Sequence, residues 1–450
     1  MNLKDIHSVY FVGIGGIGMS ALAKYFQFIG KKVAGYDKTR TPLTDEMEKL
    51  GIEIHFDEAV AAIPTPFKNS TSTLVVYTPA VPNSHVELRY FQGNDFHIKK
   101  RSEVLGLITQ DSICLAVAGT HGKTTTTSIL AHLLAECDFP FTAFLGGVSE
   151  DFNSNFVFEG EKYTVVEADE FDRSFLRLSP DIASITSMDA DHLDIYGSHD
   201  ELKTAFEDFV NKIVPNGKLI VRNGLPLEGL TYGIEDGSDY SIKNIKIEDG
   251  SYVFDIQTPT EFLTDIKFYK PGEHNLLNAL SAFAMAVEIE CPTDRLVKAL
   301  STFKGVQRRF TYHIRENDFV FIDDYAHHPT EIEAVHQAIR QMHPNLKVTV
   351  VFQPHLYSRT QDFANDFAVS LGQFDEVILL EIYPAREEPI AGITSAWLLD
   401  KIDNPNKELV EKHNLIEKIT NCKTDVLVTL GAGDIGLEVP KIKKVLAHAS

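Results

Sequence analysis

The stretch that decides the fold of this chain is "SICLAVAGTHGKTTTT", residues 112–127. A short apolar run leads into two glycines and a lysine, and a threonine-rich helix start follows. This order of strand, glycine loop and helix is typical of a triphosphate site, because N–H groups at a helix N-terminus attract phosphate oxygens. We expect Lys123 to meet the β- and γ-phosphates, and Thr124 to place its hydroxyl on Mg²⁺.

The loop nevertheless departs from the usual pattern G-x-x-x-x-G-K-[ST]. Counting back from Gly122 and Lys123 puts Val117 where the first glycine of that pattern stands. The stretch is therefore either a specialised nucleotide loop or only a glycine turn before a threonine-rich helix.

Composition limits the classes of protein that need to be considered. The chain has 450 residues, 44% of them hydrophobic, which is enough for about two to four domains. Its 42 Lys and Arg against 64 Asp and Glu give a net charge of −22. That charge argues against an extended nucleic-acid or membrane surface, so anionic ligands must be captured locally by loops, metals and a few cations.

The cysteines and the N-terminus indicate the compartment. The four cysteines lie far apart without C-x-x-C spacing, which predicts buried thiols in a reducing compartment rather than disulfides or a zinc site. No signal-peptide pattern opens the sequence, and no apolar run reaches the roughly 18 residues of a membrane span. We expect a soluble, cytoplasmic protein with small-molecule partners, either a monomer or a weak homodimer.

Apolar runs alternate with helical patterns along the whole chain, which predicts parallel sheets wrapped by helices. Three such blocks suggest an α/β protein of three domains. We expect a Rossmann-like domain at 1–107, a central P-loop ATPase-type domain with a mostly parallel sheet at 108–305, and a Rossmann-like domain at 306–450. Residues 241–256 alternate in polarity and suggest an antiparallel insert in the central domain.

The first block carries an intact G-x-G-x-x-G between a strand and a helix, formed by Gly13, Gly15 and Gly18, with Asp37 at the end of the next strand. Glycines there let the backbone turn tightly and approach a pyrophosphate. A dinucleotide or a UDP-linked ligand would satisfy this loop equally well. Glycines that serve only helix and strand packing are the structural alternative.

Several motifs together resemble one family. "GTHGKTTT" resembles the G-T-x-G-K-T-[ST] signature of the Mur ligases and their folylpolyglutamate synthetase relatives, so the missing glycine is a family trait. Further matching segments follow in family order and cover all three blocks: "FVGIGGIGMSALA", "VVEADEFDRSFLRLSP", "DADHLDIYGS", "HNLLNALSA", "GVQRRF", "DDYAHHPTEI" and "FQPHLYSRT".

The resemblance implies an ATP-dependent ligase that phosphorylates a carboxylate and then lets an amine displace phosphate. The first block, "DDYAHHPTE" and "FQPH" are most similar to the branch that joins L-alanine to UDP-N-acetylmuramate, with Mg²⁺ as the metal. Three alternatives stay open: a ligase that attaches a recycled tripeptide to the same sugar, an NAD-dependent dehydrogenase, and a non-enzymatic nucleotide switch.

The family also implies roles for individual residues. Glu167 resembles the acid that holds Mg²⁺, His192 resembles a ligand or neighbour of a second metal, and Arg309 resembles an arginine that reaches the γ-phosphate. The implied ATP site comprises Gly119, Thr120, His121, Gly122, Lys123, Thr124, Thr125, His274, Asn275, Arg309 and Asp324. The implied UDP-sugar site comprises Gly13, Gly15, Gly16, Gly18 and Asp37; the implied amino-acid site comprises Tyr325, His327, His355 and Arg359. Lys123, Glu167, His192 and Arg309 are the expected catalytic residues, and Thr124, Glu167 and His192 the expected metal ligands.

Each of these residues also has an ordinary structural interpretation. Glu167 would otherwise be a solvated acid at a strand end, His192 a packed loop histidine, and His274 and Asn275 helix caps. Many relatives carry basic residues where this chain has Leu356 and Gln361. Recognition of the alanine carboxylate is therefore expected to depend more on Arg359. Sister ligases use a carbamylated lysine near the metals, and we assign no lysine of this chain to that role.

Overall fold

The structure, a computed structural model, describes residues 3–189, 196, 198–248, 250–316, 318–385 and 387–447. It contains three β-sheets. The chain divides into two compact units. The first unit comprises Met1–Asn244, Phe254–Ile266 and Leu277–Lys304, and the second comprises Ile245–Val253, Lys267–Leu276 and Gly305–Ser450.

The first sheet is a five-stranded parallel sheet in the first unit. Its order, β3-β2-β1-β4-β5, is the Rossmann order without the sixth strand, and β1 lies in the centre. The strands are β1 Ser8–Val12, β2 Lys32–Tyr36, β3 Glu53–His55, β4 Thr73–Tyr77 and β5 His97–Lys100, and the helices are α1 Ile17–Phe28, α2 Pro42–Lys49, α3 Val86–Gln92 and α4 Arg101–Thr109.

The second sheet has ten strands in the order β15-β14-β13-β12-β11-β10-β6-β9-β7-β8. The strands are β6 Ile113–Ala118, β7 Phe141–Ser149, β8 Ser154–Phe158, β9 Tyr163–Glu167, β10 Ile182–Ile185, β11 Lys218–Arg222, β12 Leu230–Ile234, β13 Tyr240–Glu248, β14 Ser251–Gln257 and β15 Phe262–Phe268. Pairing is parallel from β7 through β9, β6, β10, β11 and β12 to β13, whereas β7 and β8 are antiparallel.

The helices of this region are α5 Lys123–Glu136, α6 His199–Val210, α7 Glu273–Val287 and α8 Thr293–Leu300. Helix α5 has no amphipathic stripe, and its residues from Thr124 to Leu134 are all buried. A helix that is buried on every side must lie inside the domain rather than on its surface. The phosphate-loop helix is therefore held rigidly by its surroundings.

The third sheet belongs to the second unit and has the order β16-β17-β21-β18-β19-β20. Its strands are β16 Thr311–Arg315, β17 Val320–Asp324, β18 Val348–Phe352, β19 Glu376–Leu379, β20 Lys407–Leu409 and β21 Val426–Leu430. The associated helices are α9 Pro329–Met342, α10 Tyr357–Asp362, α11 Ala364–Gly372, α12 Ser395–Lys401, α13 Leu415–Thr420 and α14 Val439–Leu446. All pairs are parallel except β16 with β17.

These sheets confirm the predicted fold class, a mostly parallel α/β protein. Strands such as β1, β17, β18 and β21 are buried along their whole length, as strands covered by helices on both faces must be. Cys114, Cys137 and Cys291 are buried free thiols, but Cys422 is only partly buried, so the expectation of four buried thiols was wrong at that position. Among the described residues, no helix is long and apolar enough to cross a membrane.

A buried polar link joins helix α1 to strand β8 within the first unit. The Asn155 side-chain amide donates to the Ile17 carbonyl at 2.7 Å and to Ser20 Oγ at 2.9 Å. Its Oδ1 accepts from Lys24 Nζ at 2.9 Å, and the same ammonium donates to Glu46 at 2.7 Å. Because Asn155 and Lys24 are almost fully buried, these contacts fix the first turn of α1 against the second sheet.

A second buried polar cluster lies beneath the first sheet. The Tyr10 hydroxyl donates to Glu87 Oε2 at 2.7 Å and lies 2.7 Å from His55 Nε2. The Tyr10 ring is packed against Phe67 and Phe91. Burial raises the pKa of the Glu87 carboxyl group to about 7, although the Tyr10 hydrogen bond opposes that change.

Glu87 should therefore make the stability of this fold depend on pH. A carboxyl group whose pKa is raised on folding stabilises the protein fully below its unfolded pKa, near 4.5, and loses that contribution as pH rises through about 7. We expect the free energy of unfolding of the wild type to fall by about 3 kcal/mol more than that of Glu87→Gln over this range, because a unit of pKa is worth about 1.4 kcal/mol. Urea titrations at several pH values test this, with the exposed Glu53→Gln as the control. Identical pH profiles for Glu87→Gln and the wild type would contradict the assignment.

Candidate active site

The phosphate loop follows strand β6 directly, and its two glycines are required by the backbone. Gly119 has φ of +133° and Gly122 has φ of +82°. A Cβ on Gly119 would lie 2.1 Å from Thr186 Oγ1, and one on Gly122 would lie 2.4 Å from Asn278 Oδ1. Both positions therefore exclude larger residues through close approach as well as backbone conformation.

The position of Val117 explains why the first glycine of the usual pattern is absent. Val117 is the fifth of six residues in strand β6, is fully buried, and pairs with Ser184 on one side and Glu167 on the other. The strand thus continues through the place where other loops already turn. The turn begins only at Gly119.

Polar side chains beyond strand β10 hold the loop in shape. Thr186 Oγ1 donates to the Ala118 carbonyl at 3.1 Å and to the His121 carbonyl at 2.5 Å. Ser187 Oγ accepts from the His121 amide at 2.8 Å and lies 2.9 Å from Thr120 Oγ1. The sequence "TS" after a buried strand was the only signal for these residues, and sequence reasoning missed it.

Lys123 is held by a buried acid. Its Nζ donates to Glu170 Oε1 and Oε2 at 2.9 and 2.7 Å, and to the Gly119 carbonyl at 2.6 Å. Burial alone would lower the pKa of Lys123, but the charges of Glu170, Asp169 and Glu167 outweigh it and raise the pKa. Lys123 is therefore a fixed cation at the N-terminus of α5.

Thr124 and Glu167 form the oxygen-rich part of the site. The Thr124 hydroxyl donates to Glu167 Oε2 at 2.9 Å. A Cβ on Gly146 would lie 1.8 Å from the same oxygen, so glycine there makes room for the carboxylate. No cluster of three His, Cys, Asp or Glu side chains with metal-binding geometry occurs among the described residues.

This donor set fits Mg²⁺. A hydroxyl and a carboxylate are hard oxygen ligands, and Mg²⁺ commonly uses one or two protein carboxylates together with phosphate oxygens and water. Thr124 and Glu167 would hold the ion. His192, the third predicted ligand, lies outside the described residues.

The glycine loop of the first sheet opens into a cavity of about 260 Å³. Gly13 has φ of +87°, and the Gly15 amide donates to Asp37 Oδ2 at 2.7 Å. Asp37 thus braces the loop from the end of strand β2. The cavity is lined by Gly16, Ile17, Gly18, Met19, Ala21, Leu22, Thr78, Arg101, Leu105, Phe144, Leu145, Gly146, Glu167 and Asp169.

The cavity connects two predicted sites that are far apart in sequence. Gly16 and Gly18, at the start of helix α1, line it together with Glu167. The first unit thus places the predicted UDP-sugar loop and the predicted magnesium acid around one space. Sequence reasoning missed Arg101 and Asp169, which also line it.

In the second unit, the two arginines of "RRF" have different surroundings. Arg308 donates through Nε to Asp323 Oδ2 at 3.2 Å and through Nη2 to the Gly431 carbonyl at 2.5 Å. Both guanidinium groups lie 5.1 Å from the centre of the Tyr325 ring. Arg308 is therefore tied into the fold, and the predicted catalytic role stays with Arg309.

Asp324 is buried at the end of strand β17. Its Oδ1 accepts from the Ala326 amide at 2.7 Å and its Oδ2 from the Phe310 amide at 2.6 Å. Burial raises the pKa of Asp324 to about 6, while the charge of Arg309 opposes the change. These bonds brace the turn that carries Tyr325, and the place of Asp324 in the ATP site stays a prediction.

A row of rings brings the predicted amino-acid residues together. Tyr325 lies 5.4 Å from His327, His327 lies 5.9 Å from His355, and His355 is stacked on Tyr383 at 5.8 Å, all between ring centroids. Arg359, 7% exposed, lies on the short helix α10 that follows His355. Tyr383 was not predicted, because the row is formed by three separate loops.

The loop between His355 and Arg359 is strained and clamped. Leu356 has φ of +72°, which is unfavourable for a residue with a side chain. Its amide donates to the Tyr383 carbonyl at 3.0 Å. Glu387 accepts from the Ser358 hydroxyl at 2.5 Å and from the Ser358 amide at 3.1 Å. Tyr383 and Glu387 thus fix the loop that carries Arg359.

The segment "HNLLN" at the start of α7 combines a local and a loop contact. In the second unit, Asn275 Nδ2 donates to the Pro271 carbonyl at 2.6 Å, and His274 lies against Gly272. Because Asn275 is the third residue of α7 and its side chain donates rather than accepts, this bond is not an N-cap. In the first unit, Asn278 lies directly against Gly122. The spacing of the two asparagines was the signal for Asn278, and only Asn275 was selected from sequence.

Three family models match most of the chain. The sequence matches profiles described as Mur ligase family, catalytic domain at residues 8–112, Mur ligase middle domain at 117–286, and Mur ligase, glutamate ligase domain at 308–436. The chain belongs to the Mur ligase family. The resemblance drawn from the sequence motifs is thereby confirmed.

Individual Mur ligases are similar over the full length. UDP-N-acetylmuramate–L-alanine ligase of Flavobacterium psychrophilum is 60% identical over 446 residues, which cover 99% of each chain. The enzyme of the same name from Cytophaga hutchinsonii is 45% identical over 454 residues, covering 98% of this chain and 97% of the relative.

Solved structures of Mur ligases share the fold. UDP-N-acetylmuramate-alanine ligase from Thermotoga maritima superposes with a TM-score of 0.83 at 28% identity, covering 98% of this chain and 100% of that chain. A murein peptide ligase from Psychrobacter arcticus gives a TM-score of 0.71 at 24% identity, covering 98% of both chains, and this likeness shows the fold alone.

Breaking the Lys123–Glu170 pair on one side should lower the stability of this Mur ligase as well as its ATP turnover. Lys123→Met leaves the buried Glu170 carboxylate without its cation, which is expected to lower the free energy of unfolding by about 3–5 kcal/mol. The double variant Lys123→Met/Glu170→Gln should recover most of that loss but none of the activity. Urea unfolding and ADP release measure the two effects separately. A Lys123→Met protein as stable as the wild type would contradict this reading of the pair.

Proposed function

We propose that this chain joins L-alanine to UDP-N-acetylmuramate at the expense of ATP, the first addition to the peptide stem of peptidoglycan. Full-length similarity to ligases of that name supports the substrates. The domain limits proposed are 1–107 for the UDP-sugar, 108–305 for ATP and 306–450 for the amino acid. The reaction belongs in the cytoplasm, where ATP and nucleotide sugars are available.

One observation carries the proposal: the cavity that opens onto both the α1 glycine loop and Glu167. A pyrophosphate on that helix N-terminus is stabilised by backbone N–H groups and the helix dipole. The sugar at the other end of the pyrophosphate then extends toward Glu167. A carboxylate on that sugar is thus delivered to the place where Lys123 and Thr124 receive the triphosphate.

The first chemical step is phosphoryl transfer. A carboxylate oxygen of the sugar attacks the γ-phosphorus of ATP, the bond to the β–γ bridging oxygen breaks, and ADP leaves. The protein contributes positioning and charge neutralisation, because the transferred phosphoryl group spreads negative charge over its oxygens. Lys123 supplies a fixed positive charge, and the amides at the start of α5 supply oriented dipoles.

When bound, Mg²⁺ supplies neutralisation of the β- and γ-phosphate charge between Thr124 and Glu167. Contacts within the protein hold the side chains of this site in position. Glu167 is held by Thr124, and its room is secured by Gly146. Glu170 holds Lys123 through two hydrogen bonds.

The second step is attack of the alanine amine on the acyl carbon. The nitrogen forms the new bond, loses a proton, and phosphate leaves with one of the original carboxylate oxygens. We assign alanine to the row of Tyr325, His327 and His355, with Arg359 as the partner of its carboxylate. A planar guanidinium suits a carboxylate because it can donate two parallel hydrogen bonds.

Isotope transfer tests the acyl-phosphate route. With both oxygens of the muramoyl carboxylate labelled with oxygen-18, one label should appear in released phosphate, because that oxygen is phosphorylated before it departs. Mass spectrometry of phosphate and product measures this, with unlabelled substrate as the control. Label retained entirely in the amide product would exclude the route.

Parallel ADP-release assays with L-alanine or tripeptide decide which amine is the substrate, and turnover with tripeptide alone would overturn the proposal.

Arg359→Ala should raise the KM for L-alanine roughly 30- to 150-fold while the KM for ATP stays nearly constant, because a charge-assisted hydrogen bond to a buried charged group is worth about 2–3 kcal/mol. Steady-state kinetics with each substrate varied in turn measure the two constants. The exposed Arg315→Ala is the matched control. Equal increases in both constants would remove Arg359 from amino-acid binding.

A further inference from the structure

The cavity between the α1 loop and Glu167 has an unbalanced charge. Glu167 and Asp169 line it with two carboxylates, whereas Arg101 is the only cationic side chain in its described lining. A UDP-sugar brings further negative charge on its pyrophosphate. The partial positive charge of a helix N-terminus is smaller than one full charge, so the cavity needs a cation close to where that pyrophosphate lies.

The position of Arg101 meets this need. It is the first residue of helix α4, and its side chain is 21% exposed. A Cβ on Gly18 would lie 3.0 Å from Arg101 Nη1 and 3.1 Å from its Cδ. The guanidinium therefore lies against the first turn of α1, and glycine at position 18 leaves the room for it.

Asp169 orients this guanidinium from the other side. Arg101 Nη2 lies 3.7 Å from Asp169 Oδ2, a separation that gives attraction without a close hydrogen bond. At this distance the Arg101 guanidinium can still direct N–H groups into the cavity. Arginine is suited to such a place because its planar group can bind two phosphate oxygens at once.

We propose that Arg101 binds the pyrophosphate of the UDP-sugar, with Asp169 as its positioning residue. This inference rests on the proposed function. The pyrophosphate is chosen over the muramoyl carboxylate because the guanidinium lies at Gly18, within the helix turn that receives the phosphates. Arg101 thereby complements the backbone of the glycine loop with a full positive charge.

Calorimetric titration with UDP and with UDP-N-acetylmuramate tests the assignment. Arg101→Gln should weaken the binding of both ligands by the same factor, roughly 10- to 150-fold, since charge-assisted hydrogen bonds are worth about 1.5–3 kcal/mol. Arg101→Lys should recover part of the loss, and Asp169→Asn should give a smaller loss. The affinity for ATP should not change. Lys100→Met is the matched control, because Lys100 pairs with Asp172 and does not line the cavity.

The possible outcomes separate the hypotheses. Weakened binding of UDP-N-acetylmuramate with unchanged binding of UDP would move Arg101 to the sugar carboxylate and overturn the pyrophosphate assignment. Unchanged binding of both ligands by folded Arg101→Gln and Arg101→Lys proteins would also overturn it. A wild-type protein that binds neither ligand would instead overturn the proposed function. Thermal unfolding of each variant confirms that the compared proteins are folded.

Discussion

The arrangement of the nucleotide site depends on one buried ion pair, Lys123 with Glu170. An ammonium group that is almost wholly removed from water requires an anion beside it, and here that anion is fully buried as well. The pair ties the start of helix α5 to the turn after strand β9. As a result, Glu167 faces Thr124 and Asp169 faces the cavity. The three acids Glu167, Asp169 and Glu170 lie within four residues, and the short turn that carries them gives each a different partner or environment.

All three sheets end a central strand in a glycine turn, but the turns differ in what fills them. Gly13, Gly119 and Gly431 each have positive φ directly after β1, β6 and β21. The first two turns lead into helices whose amides face predicted phosphate sites. The third is filled by protein: Gln353 accepts from the Ile435 amide at 2.9 Å, and Arg308 donates to the Gly431 carbonyl. The same type of glycine turn therefore leads to a predicted phosphate site in two sheets and is packed against protein in the third.

The sequence was sufficient to predict elements whose signal is local. The parallel α/β class and the glycine turn at Gly119 followed from short patterns, because strand, turn and helix geometry is determined within about ten residues. The partners of these residues could not be predicted in the same way. Glu170 was one of several acids in "EADEFD", and its selection by Lys123 depends on which side chain the turn after β9 buries. Asn278 and Tyr383 likewise gain their contacts only through packing between distant segments. Asp324 carried a family role in the sequence, whereas its two backbone hydrogen bonds became visible only in the folded chain.

The link from Asn155 to helix α1 limits how this protein can be rearranged in evolution or by design. The Asn155 side chain, from the second sheet, donates to the Ile17 carbonyl in the first turn of α1 and accepts from the buried Lys24. Lys24 also pairs with Glu46. Exchange of Asn155 alone would remove the hydrogen-bond partner of the Ile17 carbonyl and of the buried Lys24 ammonium group. A chimera that takes its N-terminal domain from a different ligase would have to import the compatible β8 residue with it. Recombination between these two domains would therefore keep the buried contacts of α1 with β8 only between parents that share these residues.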